Sequence, residues 1–393
     1  MYKNRFSNDD SLIISNLEQK ELEDKNQIKN FDLFLEPILT EVEFLPFVNS
    51  LPIKIGLSIK ILGRNIYQSS IKKGYFYHNL ESLITDFNIP KNIEIMRRIK
   101  PSQSIFYQLS YLSCVENLFG TEVPKLELLK RSIAIEIART YHNLHVSKNI
   151  FTCLKINNLK NDCDNILAYG NDLFNIFKHI ENNSKLSKIF SIKNAQKLLE
   201  ILLDMAANLE LEANNSEILY KKLIHKAKIN LNQACDLGLS GRFLQACKNF
   251  SMPINNNSIY ISDPPNISLR DEADAYARCM LRVDEIKSSI IWLIHQINHL
   301  QEFEKNLIAL SVEPKDFDIS GIKNSFAFSE LNSPEGDLKS SIFVNSKKEI
   351  SYKITSPAYF IVQSIPHMLL KADFDDIPLI LASLGIDEFE IDK

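Results

Sequence analysis

Apolar positions recur every second residue in one early segment and every third or fourth through much of the rest. Across 51–70, LPIKIGLSIKILGRNIYQSS, the residues Ile53, Ile55, Leu57, Ile59 and Ile61 alternate with Lys54, Ser58 and Lys60. A period of two with β-branched side chains predicts strands that bury one face, turning at Gly63 and Arg64. From residue 93 the period becomes helical. Pro124 suits the first turn of a helix running to about 147, with Leu126, Leu129, Ile133, Ile137 and Leu144 on one stripe. Further helices are predicted over 195–213 and 217–234. The strongest pattern lies in 271–310, where Cys279, Val283, Ile286, Ile290, Leu293, Ile297 and Leu300 alternate spacings of four and three. That is the seam of a long helix in a bundle. Ser268 is its expected N-cap, with Asp271 and Glu272 favourable in the first turn. Residues 338–355 read as a β-hairpin turning at 345–348.

The predicted class is α+β: an N-terminal antiparallel sheet, a central long-helix bundle and a C-terminal hairpin region. The expected divisions are a polar tail over 1–29, a β-rich region over 30–92, the bundle over 93–330, and the hairpin with a packed tail over 331–393. Composition narrows the function classes. With 45 Lys and Arg against 49 Asp and Glu the net charge is −4, which argues against a nucleic-acid partner. Glycine is scarce, 10 in 393 residues, where about 7% is usual. Neither G-x-x-x-x-G-K-[ST] nor G-x-G-x-x-G occurs, so no phosphate-cradling loop is expected. No two of the six cysteines are separated by only two residues, which disfavours a zinc or iron–sulfur site held by this chain. The start, MYKNRFSNDDSL, has no apolar stretch, and no run approaches the ~18 residues of a membrane span.

Candidate chemistry is confined to charges at helical spacing. Asp274, Arg278, Arg282 and Glu285 recur at intervals of three and four, as do Glu136 and Arg139. Such spacing places charges on one face, where they form a structural ion-pair network or line a proton path. His142 and His145 with Cys153 and Cys163, or His295 and His299, lack a firm second ligand pair, so no metal is expected. Cys279 lies on the apolar seam and reads as a core residue.

Several segments in colinear order over 50–393 carry a family pattern. SPEGDLKSSIFVNS has Pro334, Gly336 and Asp337 where an acid-Ala-Pro-basic-Gly-Glu motif is required, and Lys353, Pro357, Asp376, Pro378 and Asp392 follow in place. EADAYARCMLRVDEIKSSI fits a Gly-Asp-x-Tyr-Asp-Arg stretch at Asp274, Tyr276, Arg278, Arg282, Glu285 and Ser289. Gly238, Gly241, Leu244 and Ala246 fit a Gly-x-x-Gly-x-x-Leu-Arg-Ala segment; Glu116, Pro124, Glu136 and Arg139 fit a helix pair; Gly74, Tyr75 and Glu81 fit a loop. Together these resemble the 49-kDa subunit of NADH–quinone oxidoreductases, a family related to nickel–iron hydrogenase large subunits.

The resemblance implies a hydrogenase large subunit-like fold. It implies a peripheral subunit on the cytoplasmic face of the inner membrane or the matrix side. There it would dock on an iron–sulfur subunit, other peripheral-arm subunits and a membrane-arm subunit. Quinone is then the substrate, the terminal iron–sulfur cluster belongs to a partner, and this chain binds no cofactor. The hydrogenase metal centre needs two Cys-x-x-Cys pairs, which are absent. In the family a His on the N-terminal sheet and a Tyr at the start of the helical domain donate to the quinone. Carried onto this chain, those positions fall on Pro52 and Pro101, and proline has neither an acid proton nor a donor N–H. Tyr77 and His78, beside the matched loop, become the candidate relocated donors. Arg98 matches an arginine facing the partner's cluster. Residues 191–194 replace an Arg-Pro-Gly-Gly turn, and Thr355 replaces an arginine. Two readings result: a working quinone-site subunit with moved donors, or a catalytically degenerate paralogue with a structural or assembly role.

Overall fold

The computed structural model describes residues 39–46, 51–182, 185–249, 260, 264–306 and 324–391. The expected tail 1–29 and Asp392 lie outside the described residues. The first sheet is antiparallel in the order β1 (Thr40–Phe44), β2 (Gly56–Leu62), β3 (Asn65–Lys72). Leu57, Ile59, Ile61 and Ile66 are buried on one face, as the alternation requires. Gly63, at φ +64°, closes the β2–β3 turn. Ile53 and Ile55 are buried too, but in irregular chain before β2.

The helices are α1 (Ile89–Ile99), α2 (Ser104–Phe119), α3 (Lys125–Cys153), α4 (Asn157–Asn182), α5 (Lys185–Asn215), α6 (Glu217–Leu223), α7 (Leu231–Asp236), α8 (Arg242–Ala246) and α9 (Ala275–Asn306). The bundle core joins Leu129, Ile133 and Leu144 of α3, Ile166 of α4, Leu199, Leu202 and Leu209 of α5, and the α9 seam from Cys279 to Ile297. Two sequence expectations change here. The helix expected over 217–234 stops at Leu223, and His225 and Ala227 take positive φ. The reason is tertiary: the backbone around 225–229 bonds to the chain entering α9, with His225 N donating to Asp274 Oδ2 at 2.6 Å and Ile229 N to the Ala273 carbonyl at 2.9 Å. The cap of α9 is not Ser268 but Asp274, whose Oδ1 accepts from Ala277 N at 2.9 Å.

The second sheet is antiparallel in the order β4 (Ser325–Ser333), β5 (Gly336–Val344), β6 (Ile350–Thr355). β4 crosses residue 330, the expected end of the bundle. Asn345 Oδ1 accepts from the N–H groups of Lys347 and Glu349, each at 2.9 Å, and shapes the β5–β6 turn. The inner face of this sheet packs on α2 through Phe106, Tyr111, Leu338, Ile342 and Tyr352. The chain then forms α10 (Pro357–Leu369), which packs with the first sheet, followed by α11 (Ile377–Ala382) and α12 (Glu388–Ile391). The class is therefore α+β, with two small antiparallel sheets around a helical core. Among the described residues no helix is long and apolar enough to cross a membrane.

Candidate functional site

The two residues between β4 and β5 are Pro334 and Glu335, and Glu335 is 1% exposed. Its carboxylate accepts from Arg282 Nη2 of α9 at 2.8 Å and lies 2.8 Å from His142 Nε2 of α3. Close backbone approach makes room for this turn. A Cβ on Gly241 would stand 2.5 Å from the Gly336 Cα, and one on Gly385 would stand 2.2 Å from Glu335 Oε1. Burial raises the Glu335 carboxyl, but the Arg282 charge and the His142 hydrogen bond outweigh it and hold the group well below the usual carboxylate range. Burial lowers His142 to about 4, so its imidazole is neutral and Nε2–H donates to the carboxylate.

The remaining helix charges join units built the same way. Arg242 of α8 donates to Glu285 at 2.8 Å, to Asn143 at 3.0 Å and to the Pro334 carbonyl at 3.2 Å. Glu285 also accepts from Asn143 at 3.0 Å and Gln245 at 3.2 Å. Burial raises the Glu285 carboxyl, yet Arg242 and Arg139 bring it below its ordinary value. Glu136 accepts from Arg139 at 3.0 Å, Ser289 at 2.6 Å and Tyr260 at 2.5 Å, while Arg139 reaches the Asn332 carbonyl at 2.9 Å. Arg278 has a different setting. It donates to the Ala227 carbonyl and Ser383, lies 4.8 Å over the Phe243 ring, and is lowered to about 10 by burial and by Arg282. The six positions Glu136, Arg139, Asp274, Arg278, Arg282 and Glu285 are all buried: Arg282, and Glu285 through Arg242, tie α9 and α8 to the β4–β5 turn, Glu136 and Arg139 join α3 to α9 and β4, and Asp274 and Arg278 hold the chain at 225–227 and Ser383. A paired interior of this kind fixes register, because separating any one pair strands a charge away from water.

A further buried pair closes the C-terminal side. Lys100, just before the short 3₁₀ turn at 101–103, donates to Glu390 of α12 at 2.5 Å, and the Tyr107 hydroxyl donates to the same carboxylate at 2.8 Å. Burial raises Asp387 to about 6 against the opposing charge of Lys100.

Tyr77, His78 and Arg98 sit elsewhere, on the surface. Tyr77 is 61% exposed and its hydroxyl bonds Asn79 at 3.0 Å. The exposed His78 ring stacks on Phe389 at 6.2 Å, and Phe76 meets the same ring edge-on at 6.0 Å. Pro52 and Pro101 are both exposed. Arg98 lies in the last turn of α1, pairs with Glu94 at 3.6 Å, and lines an open groove of about 500 Å³ with Ser82, Leu83, Lys91 and Ile95. Among the described residues these three share no hydrogen bond or ion pair with the buried network. Nor do the described residues include three or more His, Cys, Asp or Glu placed to hold a metal. Sequence reasoning missed Lys100, Arg242, Glu335 and Glu390 as network members and met His142 only as a metal-ligand candidate. One signal was readable: Glu335 stands at the basic position of the Pro-basic-Gly motif, between Pro334 and Gly336.

The fold defines a class first. One chain in the structure of the membrane-bound sulfane sulfur reductase, an archaeal respiratory membrane complex, superposes with a TM-score of 0.77, covering 91% of this chain and 100% of that one at 18% identity. The family follows from sequence: residues 187–393 match the family model of the respiratory-chain NADH dehydrogenase 49-kDa subunit. The chain belongs to that family. It is 21% identical to an NADH-quinone oxidoreductase subunit of Rhizobium etli (strain CIAT 652), covering 81% of this chain and 87% of the relative. It is 22% identical to an NADH-quinone oxidoreductase subunit of Bacillus cereus, with 86% and 93% covered, and 22% identical to an NAD(P)H-quinone oxidoreductase subunit of Prochlorococcus marinus, with 91% and 98% covered.

Proposed function

We propose that the chain serves as the 49-kDa-type component in the peripheral arm of a respiratory NADH:quinone oxidoreductase-type complex, forming one wall of a quinone chamber. One observation supports the quinone reading above all. The loop at 76–78 presents an exposed phenol and, next to it in sequence, an exposed imidazole whose ring stacks on Phe389. A quinone head group needs such a setting: a flat ring to stack on and donors for its two oxygens. Reduction to the quinol takes two electrons and two protons. In this reading the electrons arrive singly from an iron–sulfur cluster held by a partner subunit that faces Arg98, and Tyr77 and His78 supply the protons. Neighbouring peripheral-arm and membrane-arm subunits hold the chain on the cytoplasmic or matrix side. The test is inhibitor-sensitive electron transfer to quinone in membranes carrying Tyr77→Phe and His78→Ala together. Turnover falls by about 10²-fold or more when both donors are lost. Unchanged turnover in an intact complex refutes the relocated donors.

A second reading, a structural or assembly subunit without quinone chemistry, is favoured by Pro52 and Pro101. Neither can donate a proton at the position where the family's donors stand. Deleting the chain and measuring both assembly and turnover separates the two. Loss of turnover with the remaining complex assembled supports the quinone wall, whereas failure of the remaining subunits to assemble, with turnover intact in the assembled Tyr77→Phe/His78→Ala complex, supports the scaffold.

A further inference from the structure

The outer face of the second sheet carries three phenylalanine rings that the described residues do not cover. Phe326, Phe328 and Phe343 are 64%, 60% and 44% exposed. Phe326 and Phe343 are cross-strand partners, and the Phe326 and Phe328 rings stack at 6.5 Å with 27° between planes. The rings make one patch, on the order of 300 Å². Folding does not require it. The opposite face of the same strands already buries Ala327, Leu331, Leu338, Ile342 and Val344, and an antiparallel sheet needs only one apolar face.

The rim of the patch is basic. Lys353 projects on the same face, paired in register with Ser341, which itself opposes Phe328. Lys347 and Lys348 stand exposed in the β5–β6 turn. Among the described residues these three lysines form no ion pair, whereas Glu330 is held by Lys339 at 2.9 Å and Glu349 by Asn345 at 2.7 Å. We propose that this face docks another protein subunit of the same complex, through a surface with an apolar centre rimmed by Asp and Glu. Family membership and the uncovered patch carry this, independently of the quinone reading. The rings lie stacked along a sheet rather than at a loop tip, so an anionic lipid surface fits less well. Asn117 already donates to the Phe328 carbonyl at 2.9 Å, which opposes strand addition along β4 and favours contact across the face.

The test places the photo-crosslinker p-benzoylphenylalanine at position 328 in membranes holding the whole complex. Crosslinks are expected on a different subunit that co-purifies with the complex, at a surface flanked by carboxylates. Phe326→Ser with Phe328→Ser should lower retention of the chain in the complex about tenfold or more, as a lost aromatic hot spot does. Its thermal midpoint should stay unchanged, showing that folding is intact. Lys353→Glu should weaken retention more at low salt than at high salt. Crosslinks onto this chain, onto a second copy or onto lipid overturn the proposal. So does unchanged retention of the Ser variant, or binding of the full chain to anionic phospholipid vesicles that the Ser substitutions abolish.

Discussion

Replacing Glu335 with Gln keeps the shape of the turn and removes one buried charge. Arg282, which is fully buried, then faces an amide in place of a carboxylate. Breaking a buried pair from one side costs about 3–5 kcal/mol, because the remaining charge cannot reach water. The Gln side chain retains one acceptor oxygen, so the lower end, about 3 kcal/mol, is expected. With an unfolding entropy of ~2.1 cal/mol/K per residue, a chain of 393 residues loses about 1.2 °C per kcal/mol. The midpoint should therefore fall by roughly 4 °C in calorimetry of the full chain at pH 7. Adding Arg282→Met removes the stranded charge and should restore part of the loss, a coupling visible as non-additivity. The pH dependence has a fixed sign. Arg282 and His142, against burial, hold the folded carboxyl well below its unfolded value. The stabilisation is therefore present above the unfolded value of about 4.3 and is lost as pH falls towards the folded one. The gap between parent and Glu335→Gln should narrow below about pH 4. A midpoint within about 1 °C of the parent, or a double variant whose loss is the sum of the single losses, would refute the reasoning.

Three more outcomes follow from the same region. His142 is lowered by burial from 6.5 to about 4, so the unfolded chain takes up its proton first as pH falls. Its contribution is full above 6.5 and lost towards 4, and His142→Gln should flatten that part of the urea-midpoint profile. Gly385→Ala puts a Cβ 2.2 Å from Glu335 at φ +70°, and left-handed strain plus overpacking should cost about 2–4 kcal/mol by denaturant titration. Asp274→Ala removes the α9 cap and leaves the His225 N–H unpaired, for a loss of about 1–2 kcal/mol, with Asp274→Asn recovering part of it.

What could be read from the sequence was what repeats locally. The α9 seam and β2 were visible because their apolar residues keep a period of 3.5 or 2. β4 was hidden by its own surface, since the two Phe residues of SFAFSELNS face outward and Ala327 and Ser329 face the core. Asp274, Arg278, Arg282 and Glu285 drew attention by spacing, yet spacing could not name their partners. Asp274 caps its own helix, Arg278 finds a carbonyl and a serine, Arg282 meets Glu335, and Glu285 meets Arg242. Such pairings are settled by tertiary approach, here at Gly241 and Gly385, rather than by periodicity. Phe389 beside His78 is a similar case, joining segments more than three hundred residues apart.

The Lys100–Glu390 pair also sets an order of events. Its members are 290 positions apart, so at about 5–20 residues per second Glu390 leaves the ribosome roughly 15–60 s after Lys100. During that interval the Lys100 ammonium has no buried counterion and must stay hydrated, which keeps the seam between the 3₁₀ turn, α2 and α12 open. The helix bundle can pack while the chain is still being made, but this seam shuts only when Glu390 arrives. Pulse-labelled amides beside Lys100 should accordingly become protected from exchange later than those of the α3–α9 contact.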